Sequence, residues 1–409
     1  MKPMGTIPAH FAADDAGRLI IGSEDVETLA ACAGNTPLFV YDFALIKARI
    51  ARFRAAFPDS LALHYAIKAN PMPALLTAIA PLVDGLDVAS SGEMALALTS
   101  GGRHISFAGP GKRDRELEAA IVAGVTLNLE SEGEAHRALT IADRLGTAPK
   151  LAVRVNPDFD LRGSGMRMGG GAKPFGVDAD RAAALVKSLI AAGADWRGFH
   201  IFAGSQALDA EAIATTQGQT LDLAASLADA IGAVPPLVNL GGGFGIPYFP
   251  KDIPVDLERV GEALAARLNG LPACLTMTRF AIELGRYLVG EAGVYLTRII
   301  DRKISHGEVF LVTDGGLHHQ LAASGNFGTV VRRNYPVAIA SRFADAPEEV
   351  VSIVGCLCTP LDRLGDMVNI PRAEVGDLVA VFMAGAYGRS ASPSGFLGHP
   401  EPPELLVNA

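Results

Sequence analysis

The octapeptide His64-Tyr65-Ala66-Ile67-Lys68-Ala69-Asn70-Pro71 sets one lysine directly after the apolar-rich run LALHYAI and closes on a turn signal. An apolar run that ends in a turn predicts a strand whose C-terminal tip projects a functional group. Burial disfavours an ammonium and lowers its pKa, and a desolvated amine is the form that condenses with an aldehyde to give a Schiff base. Taken alone, most strand-end lysines simply reach for water.

Two further groups widen the chemistry. The run Asn239-Leu240-Gly241-Gly242-Gly243-Phe244-Gly245 follows an apolar segment. Glycines there let backbone N–H groups approach an anion such as a phosphate, although a triple glycine also serves as a plain turn. Arg286 could supply the countercharge, because a guanidinium matches phosphate geometry. Glu283 lies near the end of the apolar segment FAIEL, where a carboxylate needs a partner. That partner is either Arg286, in a structural ion pair, or a protonated heterocyclic nitrogen.

These residues need elements to position them. From about residue 41 to 286, short apolar segments alternate with Ala/Leu-rich helical ones: 61–67, 85–88, 104–107, 125–129, 150–155, 197–202, 237–240 and 280–284. Eight strands separated by helices match a (β/α)8 barrel in number and length, with a doubly wound open sheet as the alternative. Lys68, Asp87, Arg154-x-Asn156, His200-x-Phe202, Gly241 to Gly243 and Glu283-x-x-Arg286 then collect at the C-terminal rim, where the βα loops of a barrel build its site. The loop GSGMRMGGGAKPFG reads as mobile or ligand-contacting. After residue 287 the texture turns β-branched, in YLTRIID, EVFLVTDG, TVVRRNYPVAIA, EVVSIVG and LVAVFMAG, predicting a C-terminal β-domain. The expected division is residues 1–40 joining the β-domain, through a strand such as PLFVYD, then a barrel over 41–286 and the β-domain over 287–409.

The 409-residue chain exceeds what one core usually supports. Its net charge of −9 argues against nucleic acid or an anionic membrane surface as partner. The N-terminus lacks the apolar core of a signal peptide and no run approaches a membrane span, so a cytoplasmic protein is expected. Cys32, Cys274, Cys356 and Cys358 are too scattered for a disulfide framework, and Cys356-x-Cys358 lacks a second pair to complete a zinc site. No metal site is expected.

An aldehyde-reactive lysine, a phosphate cradle and a carboxylate for a pyridinium describe a site for pyridoxal 5′-phosphate. With YAIKAN, LDVASSGE, VRVNP, NLGGG, ELGR, GCLCTPLDRL and GAYG in order over residues 37 to 390, the chain resembles the fold-type III enzymes built on an alanine racemase-like barrel. It is most similar to the diaminopimelate and ornithine decarboxylase group. The resemblance implies that Lys68 carries the cofactor and Glu283 pairs with its ring nitrogen. It assigns Ser205, Gly241, Gly242, Gly243, Gly285, Arg286 and Tyr387 to cofactor binding. Asp87 and Arg154 fall on positions that shape the lysine and ring environment. Cys358 matches a cysteine near the reacting carbon that usually reaches the site from the partner subunit, which implies a homodimer with shared sites. Amino-acid decarboxylation follows, with Cys358 or Lys68 returning a proton to the α-carbon; a racemase of the same fold, or a non-catalytic cofactor-binding protein, is the alternative.

Three departures bear on this expectation. Alignment on Gly204-Ser205-Gln206 places Phe202 where the family stacks a histidine, and phenylalanine can stack but not titrate. His200, two residues earlier, is a substitute. After the cysteine, the family's acidic residue for a distal amine is replaced by Thr359, with Asp362 a distant compensator. Leu284 stands in place of a proline in ELGR. CTPLDRL with HIFAGSQ looks like a subgroup near the exosortase A-associated decarboxylases and those acting on carrier-protein-bound aminoacyl groups. The expected partner is therefore an amino acid or a carrier-bound aminoacyl group.

Overall fold

The computed structural model describes residues 1–325 and 333–409. Eight strands form in the expected places: β1 (Leu61–Ala66), β2 (Gly85–Val88), β3 (Ile105–Phe107), β4 (Thr126–Leu129), β5 (Lys150–Asn156), β6 (Asp195–Ile201), β7 (Leu237–Gly242) and β8 (Arg279–Leu284). Neighbours pair in parallel, and the β8–β1 and β4–β5 ladders close the sheet into a barrel, which excludes the open doubly wound alternative. Parallel strands are buried on both faces and therefore read as near-continuous apolar runs. Leu63, Leu127, Val153, Phe199, Val238 and Ile282, all buried, come from six of the eight strands.

Helices begin soon after the strand tips because the chain places capping side chains there. Ser90 and Ser131 accept the N–H groups of Glu93 and Glu134, and Asp209 accepts those of Glu211 and Ala212. Gly146 and Gly232 end two of these helices in the left-handed conformation.

Packing divides the chain into two units, Ile50–Gly245 with Pro254–Gly285, and Met1–Arg49 and Ile246–Ile253 with Arg286–Ala409. The second unit is β-rich. Its long strand Gly293–Ser305 pairs antiparallel with Leu38–Asp42, Leu378–Val381 and Glu308–Thr313. Glu308–Thr313 runs parallel to Glu349–Val354, which pairs with Arg363–Ile370. Of the expected segment TVVRRNYPVAIA, residues 329–332 lie outside the described residues, and Val337–Ile339 forms a strand. Nothing in the hydrophobic pattern announces that Ile246–Ile253 packs with this unit. Tyr248 anchors it there, its ring 4.9 Å from that of Tyr335.

Candidate active site

Within the barrel, Lys68 sits in a single 3-10 turn, Ile67–Ala69, immediately past β1. Ile67 and Ala69 are buried while Lys68 is exposed. The amine lies 5.7 Å from the centre of the Phe202 ring, just past the end of β6. The expected desolvation is thus not a property of the chain itself, because the turn lifts Lys68 above the buried strand rather than into it.

Glu283, the penultimate residue of β8, is buried. Its Oε2 accepts from His200 Nε2 at 2.9 Å and from Asn239 Nδ2 at 3.2 Å. The parallel register makes this trio: β6, β7 and β8 are adjacent, with His200 opposite Asn239 and Gly242 opposite Glu283. The carboxylate is therefore satisfied by strand neighbours, and the ion pair with Arg286 weighed from the sequence is not the arrangement found. Burial alone would raise the carboxyl pKa; the His200 ring, Lys68 and Arg154 outweigh it and hold the group below its ordinary value. His200 Nδ1 is buried without a hydrogen-bond partner.

Asp87 on β2 is buried, with Oδ1 3.4 Å from His64 Nδ1 and Oδ2 unpartnered. The His64 ring needs Gly85 beside it, since a Cβ there would lie 2.7 Å from Nε2. Burial would lower the His64 pKa, but Asp87 raises it above the ordinary value. Arg154 on β5 donates to Glu130 at 2.8 Å and lies 5.0 Å from the Phe175 ring centre. Glu130 also accepts the Gly176 N–H at 3.1 Å, and Asn156 donates to Gly171 O at 3.0 Å. The glycine-rich loop is therefore fastened to β5 at its second half.

Gly241 and Gly243 have φ of +71° and +76°, and Gly241 donates its N–H to Asn239 Oδ1 at 2.9 Å. A Cβ on Gly242 would strike the Glu283 carbonyl, and one on Gly243 the Gly204 carbonyl. Strand packing thus demands glycine here before any ligand does. Ser205 is half-buried opposite Met166 in a two-residue ladder. A Cβ on Gly285 would lie 2.8 Å from that of Ala69, so this glycine lets the chain pass close to the lysine turn.

In the β-rich unit, Arg286 is buried and donates to the Tyr248 hydroxyl at 2.7 Å. Its guanidinium carbon lies 4.6 Å from the Tyr387 ring centre, and its Nε is buried without a partner. Cys358 is exposed and Thr359 half-exposed, the threonine hydroxyl accepting the Leu361 N–H at 3.3 Å. Asp362 does not fit the role of a compensating carboxylate. It is 2% exposed, and its two oxygens accept the N–H groups of Leu317 at 2.7 Å and Leu357 at 2.9 Å.

Asn239, Glu130, His64 and Tyr248 escaped the sequence reading. Asn239 opens the glycine run that ends in Gly245 and His64 the octapeptide around Lys68, so both carried a signal. Glu130 and Tyr248 carried none, because only folding brings them to Arg154 and Arg286.

The sequence matches the family described as pyridoxal-dependent decarboxylase, pyridoxal binding domain, over residues 43–290. It is 36% identical over 384 residues to the L-glutamyl-(BtrI acyl-carrier protein) decarboxylase of Niallia circulans, covering 91% of this chain and 89% of that protein. It is 33% identical to the diaminopimelate decarboxylase of Archaeoglobus fulgidus, over 91% and 88% of the two chains. The solved diaminopimelate decarboxylase of M. jannaschii superposes with a TM-score of 0.87 at 27% identity, over 97% of this chain and 92% of that one. No described helix is long and apolar enough to cross a membrane.

Proposed function

The chain belongs to the pyridoxal-dependent decarboxylases of fold type III, and from that membership we propose that it decarboxylates an aminoacyl group tethered to a carrier protein. Its cofactor is pyridoxal phosphate. When bound, the cofactor supplies an aldehyde for amines and an electron-poor ring that accepts the electron pair left behind when carbon dioxide departs. Barrel residues fit such a group: an exposed amine above an aromatic ring, a buried ionised carboxylate, and glycines whose Cβ positions are barred.

Lys68 would hold the aldehyde, and Phe202, whose ring lies 5.7 Å from the lysine amine, would offer a face to the cofactor ring. Glu283 would keep a proton on the ring nitrogen, with His200 and Asn239 orienting its carboxylate. By the family resemblance, Ser205, Gly241 to Gly243, Arg286 and Tyr387 would hold the phosphate end, and Gly285 belongs to the cofactor-binding set. Asp87, through His64, and Arg154, through Glu130, set the charge around Lys68. Cys358 or Lys68 returns a proton to the α-carbon. This reading includes a cytoplasmic homodimer in which Cys358 serves the neighbouring site.

The observation that carries the tethered substrate is the missing carboxylate for a distal ammonium. Thr359 stands in its place, and Asp362 spends both oxygens on backbone N–H groups. A charge-assisted contact of roughly 1.5–3 kcal/mol is absent. The likeness to a decarboxylase named for a carrier-bound glutamyl group supports the same choice. Carbon dioxide release is to be assayed on carrier-bound aminoacyl thioesters and on free diaminopimelate, ornithine and lysine. Turnover should favour the tethered substrates, and Thr359→Asp should raise kcat/KM on free diamino acids by up to about a hundredfold. Wild-type kcat/KM near about 10⁴ M⁻¹s⁻¹ on a free diamino acid would overturn this reading.

A further inference from the structure

We propose that His318, Cys356 and His399, in the β-rich unit, form a binding site for a divalent transition-metal ion of the zinc class, none of the three being among the residues assigned to decarboxylation. His318 follows the strand Glu308–Thr313, Cys356 follows Glu349–Val354, and His399 lies shortly before the terminal strand Glu404–Val407. Their ligand atoms all lie within 4.8 Å of one another, and Cys356 Sγ is 3.7 Å from His399 Nε2. Tetrahedral zinc, with Zn–S near 2.3 Å and Zn–N near 2.0–2.1 Å, sets sulfur and nitrogen about 3.6 Å apart.

The second observation is His318 itself. It is 1% exposed, and neither ring nitrogen has a hydrogen-bond partner. A buried imidazole left wholly unpaired is costly. Its neighbour His319 is the contrast: one nitrogen faces the Tyr295 hydroxyl at 3.2 Å and the other Pro400 O at 3.1 Å. The same fold that satisfies His319 twice leaves His318 aimed at a thiol and a second imidazole. Asp362 braces the arrangement, because the two N–H groups it accepts belong to Leu317 and Leu357, next to His318 and Cys356. Bracing of ligand-bearing loops by a buried outer group is characteristic of built metal sites.

On binding, a sulfur–metal bond replaces the Cys356 S–H bond and the proton passes to solvent. Three protein ligands leave one position open to water. The ion ties the C-terminal segment to the loop carrying Cys358, two residues from Cys356. Cysteine spacing alone predicts no such site, since two of the three ligands are histidines distant in sequence.

The test uses the holoenzyme, stripped with a chelator and dialysed, then titrated with Co²⁺ and with Zn²⁺. Co²⁺ should bind one per chain with intense tetrahedral d–d bands in the red, clear of cofactor absorption, and Zn²⁺ should bleach them. Cys356→Ser and His399→Ala should each weaken Zn²⁺ binding by about a hundredfold, at least the loss from removing an outer-shell partner. His399→Cys should keep the ion, and Cys358→Ser should leave affinity unchanged. Circular dichroism and the bound-cofactor spectrum identify any variant that fails to fold, and the retained site in His399→Cys then carries the test. Octahedral cobalt spectra, binding that survives Cys356→Ser, or loss on Cys358→Ser instead would each overturn the proposal.

Discussion

Lys68 and Glu283 are the two side chains on which the proposed chemistry rests, and each can be tested alone. Lys68 is exposed over Phe202, so it is open to an incoming aldehyde. Borohydride reduction should trap the cofactor on the peptide containing Lys68, and Lys68→Ala should lower turnover by about 10⁴-fold. Modification of a different lysine would refute the assignment. Glu283 is held ionised inside the barrel. Glu283→Gln keeps the shape and removes the charge, so kcat should fall by roughly a hundredfold while the folded spectrum persists. An unchanged kcat would make the His200–Glu283 contact purely structural.

The strand β7 shows how one element serves the site twice. Asn239 points its amide at Glu283 and accepts the Gly241 N–H, and Gly242 allows β8 to approach closely enough for that contact. Gly242→Ala would drive a methyl into the Glu283 carbonyl. It should destabilise the protein by about 1–3 kcal/mol in denaturant titration and lower kcat, since β8 must shift and carry Glu283 with it. Stability and kcat both equal to wild type would show that the close approach is dispensable. The β-strands themselves were legible because closed parallel barrels write continuous apolar runs into the sequence. The 3-10 turn under Lys68 was not, because IKA in a turn and IKA at a strand end have the same composition.

The folded protein as a whole takes up a proton at His64 that the unfolded chain holds less tightly. Asp87 raises the His64 pKa above its ordinary 6.5 against the opposing effect of burial. A raised histidine pKa adds stability that is complete below about pH 6.5 and is lost as pH rises through the folded value. The difference in unfolding free energy between wild type and His64→Gln should therefore be largest near pH 6 and shrink towards pH 8, by at most about 1.4 kcal/mol per pH unit. A difference that grows with pH would show that Asp87 does not govern His64.

Local pattern along the chain was enough to expect an eight-stranded barrel over an open sheet, the cofactor chemistry and the residues proposed for the barrel rim, while closure of the sheet came from the fold. Strand period, glycine positions and the YAIKAN context are local properties of the chain and survive without coordinates. What only the tertiary structure decided are partnerships between residues far apart in the chain. Glu283 meets His200 and Asn239 rather than Arg286 because parallel register, not sequence proximity, sets its neighbours. Arg286 finds Tyr248 and Tyr387, 38 and 101 residues away, and Asp362 turns away from solvent to tie its own loop, at Leu357, to Leu317, 45 residues away. Burial is a property of the packed whole, so the exposure of Lys68 and the unpaired imidazole of His318 could be read only there.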